Sequence, residues 1–144
     1  IGDRIGVLLP NSTGAAVTFF ALQATGRVPA MLNFSAGPGN MISAITITQS
    51  KVILTSKVFV EAGGLEEVVS ALEGHAKIIW LEDIKANMSL FGKLSSLFMA
   101  KFMARSWHKT FKINPEDAAA VLFTSGSEGT PKGVVGDVCF LVRP

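Results

Sequence analysis

Short runs of apolar residues recur along this chain, and longer segments with helical spacing lie between them. Five of these runs have the length and content of buried strands, and they cover residues 5–9, 28–33, 51–55, 77–81 and 118–124. Strands that alternate with helices form a parallel sheet with helices packed on its faces. We therefore predict an α/β fold with alternating strands and helices and a mostly parallel sheet.

The segments between the strands carry helix start and stop signals. Ser12 precedes residues 13–25, where Val17 and Phe20 belong to an apolar set at helical spacing, and Gly26 suits the left-handed position after the helix. The other predicted helices are residues 41–50 capped by Asn40, an interrupted stretch from Ser56 to Gly74, and one long basic helix over 84–109.

Length and composition exclude several classes of protein. The chain has 144 residues, of which 49% are hydrophobic and 17% charged, which suits one domain with a buried core and excludes a disordered chain. Residues 5–26 and 28–50 carry no charge, but turn and cap residues interrupt both, so we reject a membrane-spanning helix for either. A single cysteine, Cys139, excludes a disulfide framework. The chain begins with Ile1 and shows no secretory signal, so we expect a piece of a longer protein on the cytoplasmic side.

Positive charge is concentrated in one segment. Between Asp83 and Glu116 there is no acidic residue, and the six basic residues are Lys85, Lys93, Lys101, Arg105, Lys109 and Lys112. In the rest of the chain seven basic residues stand against eleven acidic ones. The net charge of +2 is too small to indicate a nucleic-acid partner, and we expect none. Residues 84–112 are either a core helix with a solvated basic edge or an element that meets an anionic partner.

The segment after the last predicted strand carries the strongest chemical signal. It reads Thr124-Ser125-Gly126-Ser127-Glu128-Gly129-Thr130-Pro131-Lys132-Gly133, with three glycines, four hydroxyls and one lysine in ten residues. Glycines allow backbone N–H groups to approach a phosphate closely, hydroxyls donate to its oxygens, and a lysine adds positive charge. The Walker pattern is excluded because Pro131 precedes the lysine and Gly133 follows it. The alternative is an ordinary polar turn with one solvated lysine.

This ten-residue segment resembles the phosphate-loop signature of the adenylate-forming (AMP-binding) synthetase superfamily. The opening strand and turn, Gly2-Asp3-Arg4-Ile5-Gly6-Val7 through Leu9-Pro10-Asn11-Ser12, is similar to the start of the large N-terminal domain of those enzymes. The likeness covers residues 1–135, which we interpret as part of that domain. It is lost over residues 136–144, which we interpret as a tail left by truncation.

A finer resemblance points to one branch of the superfamily. Residues 26–35, Gly-Arg-Val-Pro-Ala-Met-Leu-Asn-Phe-Ser, and Ser127-Glu128-Gly129 look like the acyl-acyl-carrier-protein synthetase part of bifunctional 2-acylglycerophosphoethanolamine acyltransferases. Other members more often have threonine at the position of Glu128. The resemblance implies a lipid-metabolising ligase located peripherally on, or fused to, an inner-membrane protein.

The resemblance also implies a reaction and its participants. ATP and a fatty acid give an acyl-adenylate and pyrophosphate, and a thiol of acyl-carrier protein, or of coenzyme A in the broader family, then takes the acyl group. It assigns nucleotide binding to Thr124, Ser125, Gly126, Ser127, Glu128, Gly129, Thr130 and Lys132, with Lys132 also catalytic. Mg²⁺ would be shared with the phosphates, and we expect no protein ligands dedicated to a metal. The later adenosine-binding motifs are absent, so we expect the isolated chain to be inactive.

Two functions of other classes remain open. The loop by itself would also suit a non-catalytic nucleotide- or phosphate-binding module. Residues 84–112 mix large apolar side chains with six positive charges, which would suit attachment to an anionic membrane surface. The same charges would also suit docking of an acidic acyl-carrier protein.

Overall fold

The computed structural model describes residues 2–103, 106, 110–111, 117–125 and 131–137. Its strands are β1 (Arg4–Leu8), β2 (Val28–Met31), β3 (Val52–Thr55), β4 (Lys77–Trp80), β5 (Ala118–Ser125) and β6 (Pro131–Asp137). Its helices are α1 (Thr13–Ala24), α2 (Pro38–Thr48), α3 (Lys57–Gly63), α4 (Glu66–Glu73), α5 (Leu81–Asn87) and α6 (Leu90–Phe102), with a short 3-10 turn at Phe34–Ala36. All five predicted strands are present within two residues of their expected ends.

The six strands form one sheet in the order β4-β3-β1-β2-β5-β6. The first five run parallel to their neighbours, and β6 pairs with β5 in the antiparallel direction. The predicted α/β fold with a mostly parallel sheet is thus confirmed. Because β1 lies at the centre, Gly6 is aligned with Ala30 on one side and with Ile53 on the other.

Apolar side chains cover both faces of the sheet. On one face Leu8, Leu32 and Ile53 pack with residues from α2, α3 and α4 in the largest buried cluster. On the other face Val7 and Leu9 pack with Ala15 and Leu22 of α1. Because both faces of the sheet are covered, successive residues of a strand are buried on opposite sides. This explains why the strands are continuous apolar runs in the sequence.

Local signals explain where the helices begin and end. The Ser12 hydroxyl accepts a hydrogen bond from the Ala15 N–H at the start of α1, and Ser56 does the same for Phe59 at the start of α3. Gly26 follows α1 with a φ of 69°, a left-handed conformation that glycine adopts without a Cβ clash. The predicted interruption between Ser56 and Gly74 is the boundary between α3 and α4.

Three predictions about the helices need correction. Val17 and Phe20 are 63% and 65% exposed, and α1 instead buries Ala15, Thr18 and Leu22. Helix α2 begins at Pro38 after Gly37, three residues before the expected start, because proline suits the first turn of a helix. Asn40 lies inside that helix and donates to the Ala36 carbonyl.

The predicted single helix over 84–109 is two helices in the described residues. Met88 has an extended ψ of 109°, which ends α5, and the Ser89 hydroxyl then accepts from the Gly92 N–H to cap α6. Residues 104–105, 107–109 and 112–116 lie outside the described residues. Within the described part of the chain, none of the helices combines the length and apolarity that a bilayer crossing needs.

Candidate functional site

The carboxyl ends of β1 to β5 lie along one edge of the sheet, because these strands are parallel. The chain leaves β1 for α1 on one face and leaves β2 for α2 on the opposite face. Divergence of two neighbouring connections opens a crevice at the carboxyl edge, which is where ligands bind in open α/β sheets. The strand β5 lies directly beside β2, so its carboxyl end borders this crevice.

The predicted phosphate loop begins at the end of β5 and ends at the start of β6, and these two strands pair in the antiparallel direction. Thr124 and Ser125 are the last two residues of β5, and Lys132 is the second residue of β6. The ladder aligns Thr124 with Lys132 and Ser125 with Pro131. Gly126, Ser127, Glu128, Gly129 and Thr130 lie between the two strands and outside the described residues. The backbones of Thr124 and Lys132 are therefore neighbours at the carboxyl edge although the two residues are eight positions apart in the sequence.

The hairpin of β5 and β6 is held to the rest of the fold through β5. The side-chain amide of Gln23 in α1 donates to the Ala119 carbonyl at 3.1 Å, near the start of β5. Val121 is buried with Val28 and Ala30 of β2, and Phe123 packs against the same group. Glycine at position 133 lies opposite Phe123 in the ladder. These contacts fix the end of β5, and through the ladder the start of β6, relative to the carboxyl ends of the other strands.

A second group of polar residues lies at the same edge, at the ends of β3 and β4. The Glu82 carboxylate accepts a hydrogen bond from the Ser56 hydroxyl at 2.6 Å and another from the Lys57 N–H at 3.1 Å. Burial by itself raises the pKa of Glu82, but these hydrogen bonds outweigh it and lower the pKa from 4.5 to about 2. The Lys57 ammonium forms an ion pair with Asp83. This group fastens the start of α3 to the start of α5.

A cavity of about 500 Å³ opens beside this polar group, between the connections that follow β1, β3 and β4. Its lining includes Leu9, Pro10, Phe59 and Leu81, with Glu82 and Lys85 among the polar side chains. Sequence reasoning missed this site. Its residues come from three connections that are far apart in the chain, so no local motif marks it. The available signal was that hydroxyl and carboxylate side chains directly follow apolar strands, which indicates the carboxyl edge of the sheet.

The chemistry of the predicted loop fits a polyphosphate. The segment contains four hydroxyl groups, three glycines and one ammonium group, which supply hydrogen-bond donors and positive charge. It contains only one carboxylate, that of Glu128. Residues that could hold a metal on their own are absent from the described part of the chain, where no group of three His, Cys, Asp or Glu side chains comes together.

Comparison with known proteins gives a family and a fold. A sequence model of the family described as AMP-binding enzyme matches residues 1–138. The chain is 24% identical over 140 residues to the acyl-CoA ligase sidI of Beauveria bassiana, covering 94% of this chain and 24% of that protein. It is 29% identical over 140 residues to 4-coumarate–CoA ligase 2 of Oryza sativa subsp. japonica, covering 93% of this chain and 24% of the relative.

The structure is similar to that of a fatty acyl CoA synthetase from Mycobacterium tuberculosis. The TM-score is 0.64 at 18% sequence identity, with 95% of this chain and 24% of the other covered. The shared fold is that of the N-terminal domain of adenylate-forming enzymes. The chain spans about a quarter of the length of the curated relatives it matches.

Proposed function

This chain belongs to the AMP-binding enzyme family, and from that premise we propose that it supplies the phosphate-binding loop of an ATP-dependent ligase that activates a fatty acid. The observation that carries the proposal is the Thr124–Gly133 segment. It combines the family's loop signature with a position at the carboxyl edge of a parallel sheet.

The proposed reaction has two steps. A carboxylate oxygen of the fatty acid attacks the α-phosphorus of ATP, the bond to the bridging oxygen breaks, and pyrophosphate leaves with the electron pair. A thiol sulfur then attacks the acyl carbonyl of the adenylate, AMP leaves as a phosphate monoester, and the thiol loses its proton. No oxidant or reductant is needed in either step.

The role of the loop follows from the charge that develops in the first step. Negative charge grows on the pyrophosphate as it leaves, and backbone N–H groups and hydroxyl groups of the loop, together with the Lys132 ammonium, would stabilise that charge. We assign nucleotide binding to residues 124–130 and to Lys132. Mg²⁺, when bound with ATP, neutralises phosphate oxygens and orients the triphosphate.

The acid and the thiol are the finer part of the proposal. A fatty acid is supported by the resemblance of residues 26–35 to acyl-acyl-carrier-protein synthetases. The same resemblance, together with Glu128, supports acyl-carrier protein as the thiol acceptor. The names of the relatives reported above contain coenzyme A instead, so coenzyme A is the competing acceptor.

The test is ATP–pyrophosphate exchange, which measures adenylate formation without the thiol step. Because the chain spans about a quarter of its relatives, the assay uses a protein in which this chain is joined to the family regions it does not cover, called here the completed protein. We expect exchange with hexadecanoate and little with 4-coumarate or acetate. Exchange with 4-coumarate alone would overturn the fatty-acid assignment.

The acceptor is tested in the same preparation. We expect transfer of labelled hexadecanoate to holo-acyl-carrier protein to be faster than transfer to coenzyme A at equal concentrations. The reverse order would assign coenzyme A. Binding of ATP without any exchange, for all the acids offered, would instead identify a non-catalytic phosphate-binding module.

A further inference from the structure

Helix α6 presents a row of large apolar side chains to solvent. Phe91, Leu94 and Leu97 are 85%, 71% and 70% exposed, and Phe98 and Phe102 are also exposed. None of these five side chains belongs to a buried cluster of the described residues. Exposed apolar residues scattered singly need no explanation, but a contiguous group on one helix indicates an interaction surface.

The five side chains lie on one side of α6. At 100° per residue they fall within an arc of about 140°. The rings of Phe98 and Phe102, one helical turn apart, have centroids 4.8 Å apart, so the row is continuous at its carboxyl end. The opposite side of the helix carries Ser96, Met99 and Ala100, and Met99 is 40% exposed. We call the apolar row the α6 face.

The charges around the α6 face are all positive. Lys93 borders the face, and Lys101 lies within it, with its ammonium 5.7 Å from the centroid of the Phe102 ring. Four further basic residues and no acidic residue occur in the sequence from 84 to 115. The rest of the chain has more acidic than basic residues. This segment thus complements a negatively charged partner.

The position of Lys101 discriminates between possible partners. A protein surface that covered the α6 face would bury this ammonium group among apolar side chains, which is costly without a paired carboxylate. A second copy of this chain would bring two sets of positive charges together. A lipid surface avoids both costs, because a lysine stem reaches from an apolar face to the headgroups.

We propose that α6 lies in the plane of an anionic lipid surface, with the α6 face at the boundary between headgroups and acyl chains and with Lys93 and Lys101 at the headgroups. Interfacial helices bury an apolar face to this depth, and lysine stems reach from such a face to the headgroups. It goes beyond the ligase reaction and does not depend on it, although a fatty acid partitions into the same surface.

Flotation with lipid vesicles tests the proposal on the full 144-residue chain, since flotation separates bound protein from aggregates. The vesicles contain phosphatidylcholine alone or phosphatidylcholine with 30 mol% phosphatidylglycerol, at low and high sodium chloride. We expect binding to the anionic vesicles, weakened by salt, and little binding to the neutral ones. Equal binding to both vesicles, or no binding to either, would overturn the proposal.

Charge variants locate the binding surface. Each basic residue near an anionic surface changes partitioning about fivefold, so Lys93→Glu with Lys101→Glu should weaken binding roughly 25-fold or more. Lys51→Glu with Lys77→Glu is the matched control, because both lysines are exposed at the amino edge of the sheet, where Lys51 precedes β3 and Lys77 begins β4. Equal weakening by the two pairs would show a general charge effect and contradict the assignment to α6.

An apolar variant and a competing partner complete the test. Leu94→Ser with Phe98→Ser should weaken vesicle binding without lowering the melting temperature, because both side chains are exposed. If the Lys93→Glu, Lys101→Glu variant still binds vesicles but no longer binds acyl-carrier protein, the partner of the α6 face is the carrier protein and the lipid proposal is wrong. Vesicle flotation and pyrophosphate exchange are independent measurements. Failure of this proposal can therefore be distinguished from failure of the proposed function.

Discussion

Gly6 shows how closely the centre of the sheet is packed. A Cβ at this position would lie 3.0 Å from Cγ1 of Ile53 and 3.4 Å from Cδ1 of Leu32. Ile53 is fully buried, and Leu32 belongs to the same large cluster. Both side chains are buried in a close-packed core, so a methyl group at residue 6 would require them to shift and would strain the core.

We expect Gly6→Ala to lower the free energy of unfolding by about 1–3 kcal/mol, the usual cost of overpacking. Gly39→Ala is the control, because a Cβ there meets no atom within 4 Å and the residue lies in α2. That variant should be as stable as the parent or slightly more stable, since alanine favours helix. Urea unfolding followed by far-ultraviolet circular dichroism measures both. Equal stability of the two variants would contradict the packing described around Gly6.

At the level of elements, Glu82 joins α5 to α3 through the Ser56 hydroxyl and the Lys57 N–H. Its pKa is about 2 in the folded chain, below the ordinary value of 4.5. A lowered folded pKa means that the carboxylate stabilises the fold above the unfolded pKa and loses this effect as the pH falls through the folded pKa. The sensitive range is therefore from about pH 4.5 down to about pH 2.

Glu82→Gln should lower the melting temperature at pH 6, and the difference from the parent should shrink as the pH falls towards 2. The amide keeps the shape of the side chain but accepts weaker hydrogen bonds than a carboxylate does. Glu61→Gln, an exposed position in α3, serves as the control and should leave the melting temperature at pH 6 unchanged. A difference for Glu82→Gln that stays constant from pH 6 to pH 2 would rule out the stabilising role of the ionised group.

The elements were predictable from sequence to different degrees. Strands and caps such as Ser12 and Ser56 depend on local patterns, and the structure has them where they were expected. The buried face of α1 was not predictable, because the helix is apolar on several sides. The side that contains Thr18 is buried, whereas the side that contains Phe20 is exposed. The break at Met88 was missed because the apolar and basic pattern continues across it.

The candidate site divides in the same way. The loop signature is contiguous in the sequence, so its residues could be predicted without a structure. The predicted strand before it indicated that the loop follows the carboxyl end of a strand. The hairpin partner of that strand was not predicted, although β6 is what aligns Lys132 with Thr124. The contact of Glu82 with Ser56 joins residues 26 positions apart, so it depends on the order of the strands, which no local pattern specifies.

On the scale of the whole molecule, apolar surface remains uncovered on the hairpin side of the sheet. Leu122 and Val134 are paired across β5 and β6, and both are more than half exposed, as are Val17 and Phe20 on α1. The relatives are about four times longer than this chain. Family regions outside this chain are therefore candidates to cover these side chains.

We expect this chain, taken by itself, to bind the apolar dye anilinonaphthalene sulfonate, because such dyes bind exposed apolar surface. The completed protein should bind much less dye. Fluorescence titration of both proteins measures the difference. Equal dye binding by the two proteins would show that the family regions outside this chain do not cover these side chains.

The central claim is that the segment from Thr124 to Gly133 binds the phosphates of ATP during adenylate formation, and the rate of ATP–pyrophosphate exchange in the completed protein tests it most directly. Lys132→Ala removes the positive charge that stabilises the leaving pyrophosphate. It should slow exchange by about 10²–10³-fold, equivalent to about 2.7–4 kcal/mol. Lys77→Ala, at the amino edge of the sheet, is the matched control and should leave the rate unchanged. An exchange rate for Lys132→Ala equal to that of the parent, in a folded protein, would contradict the account.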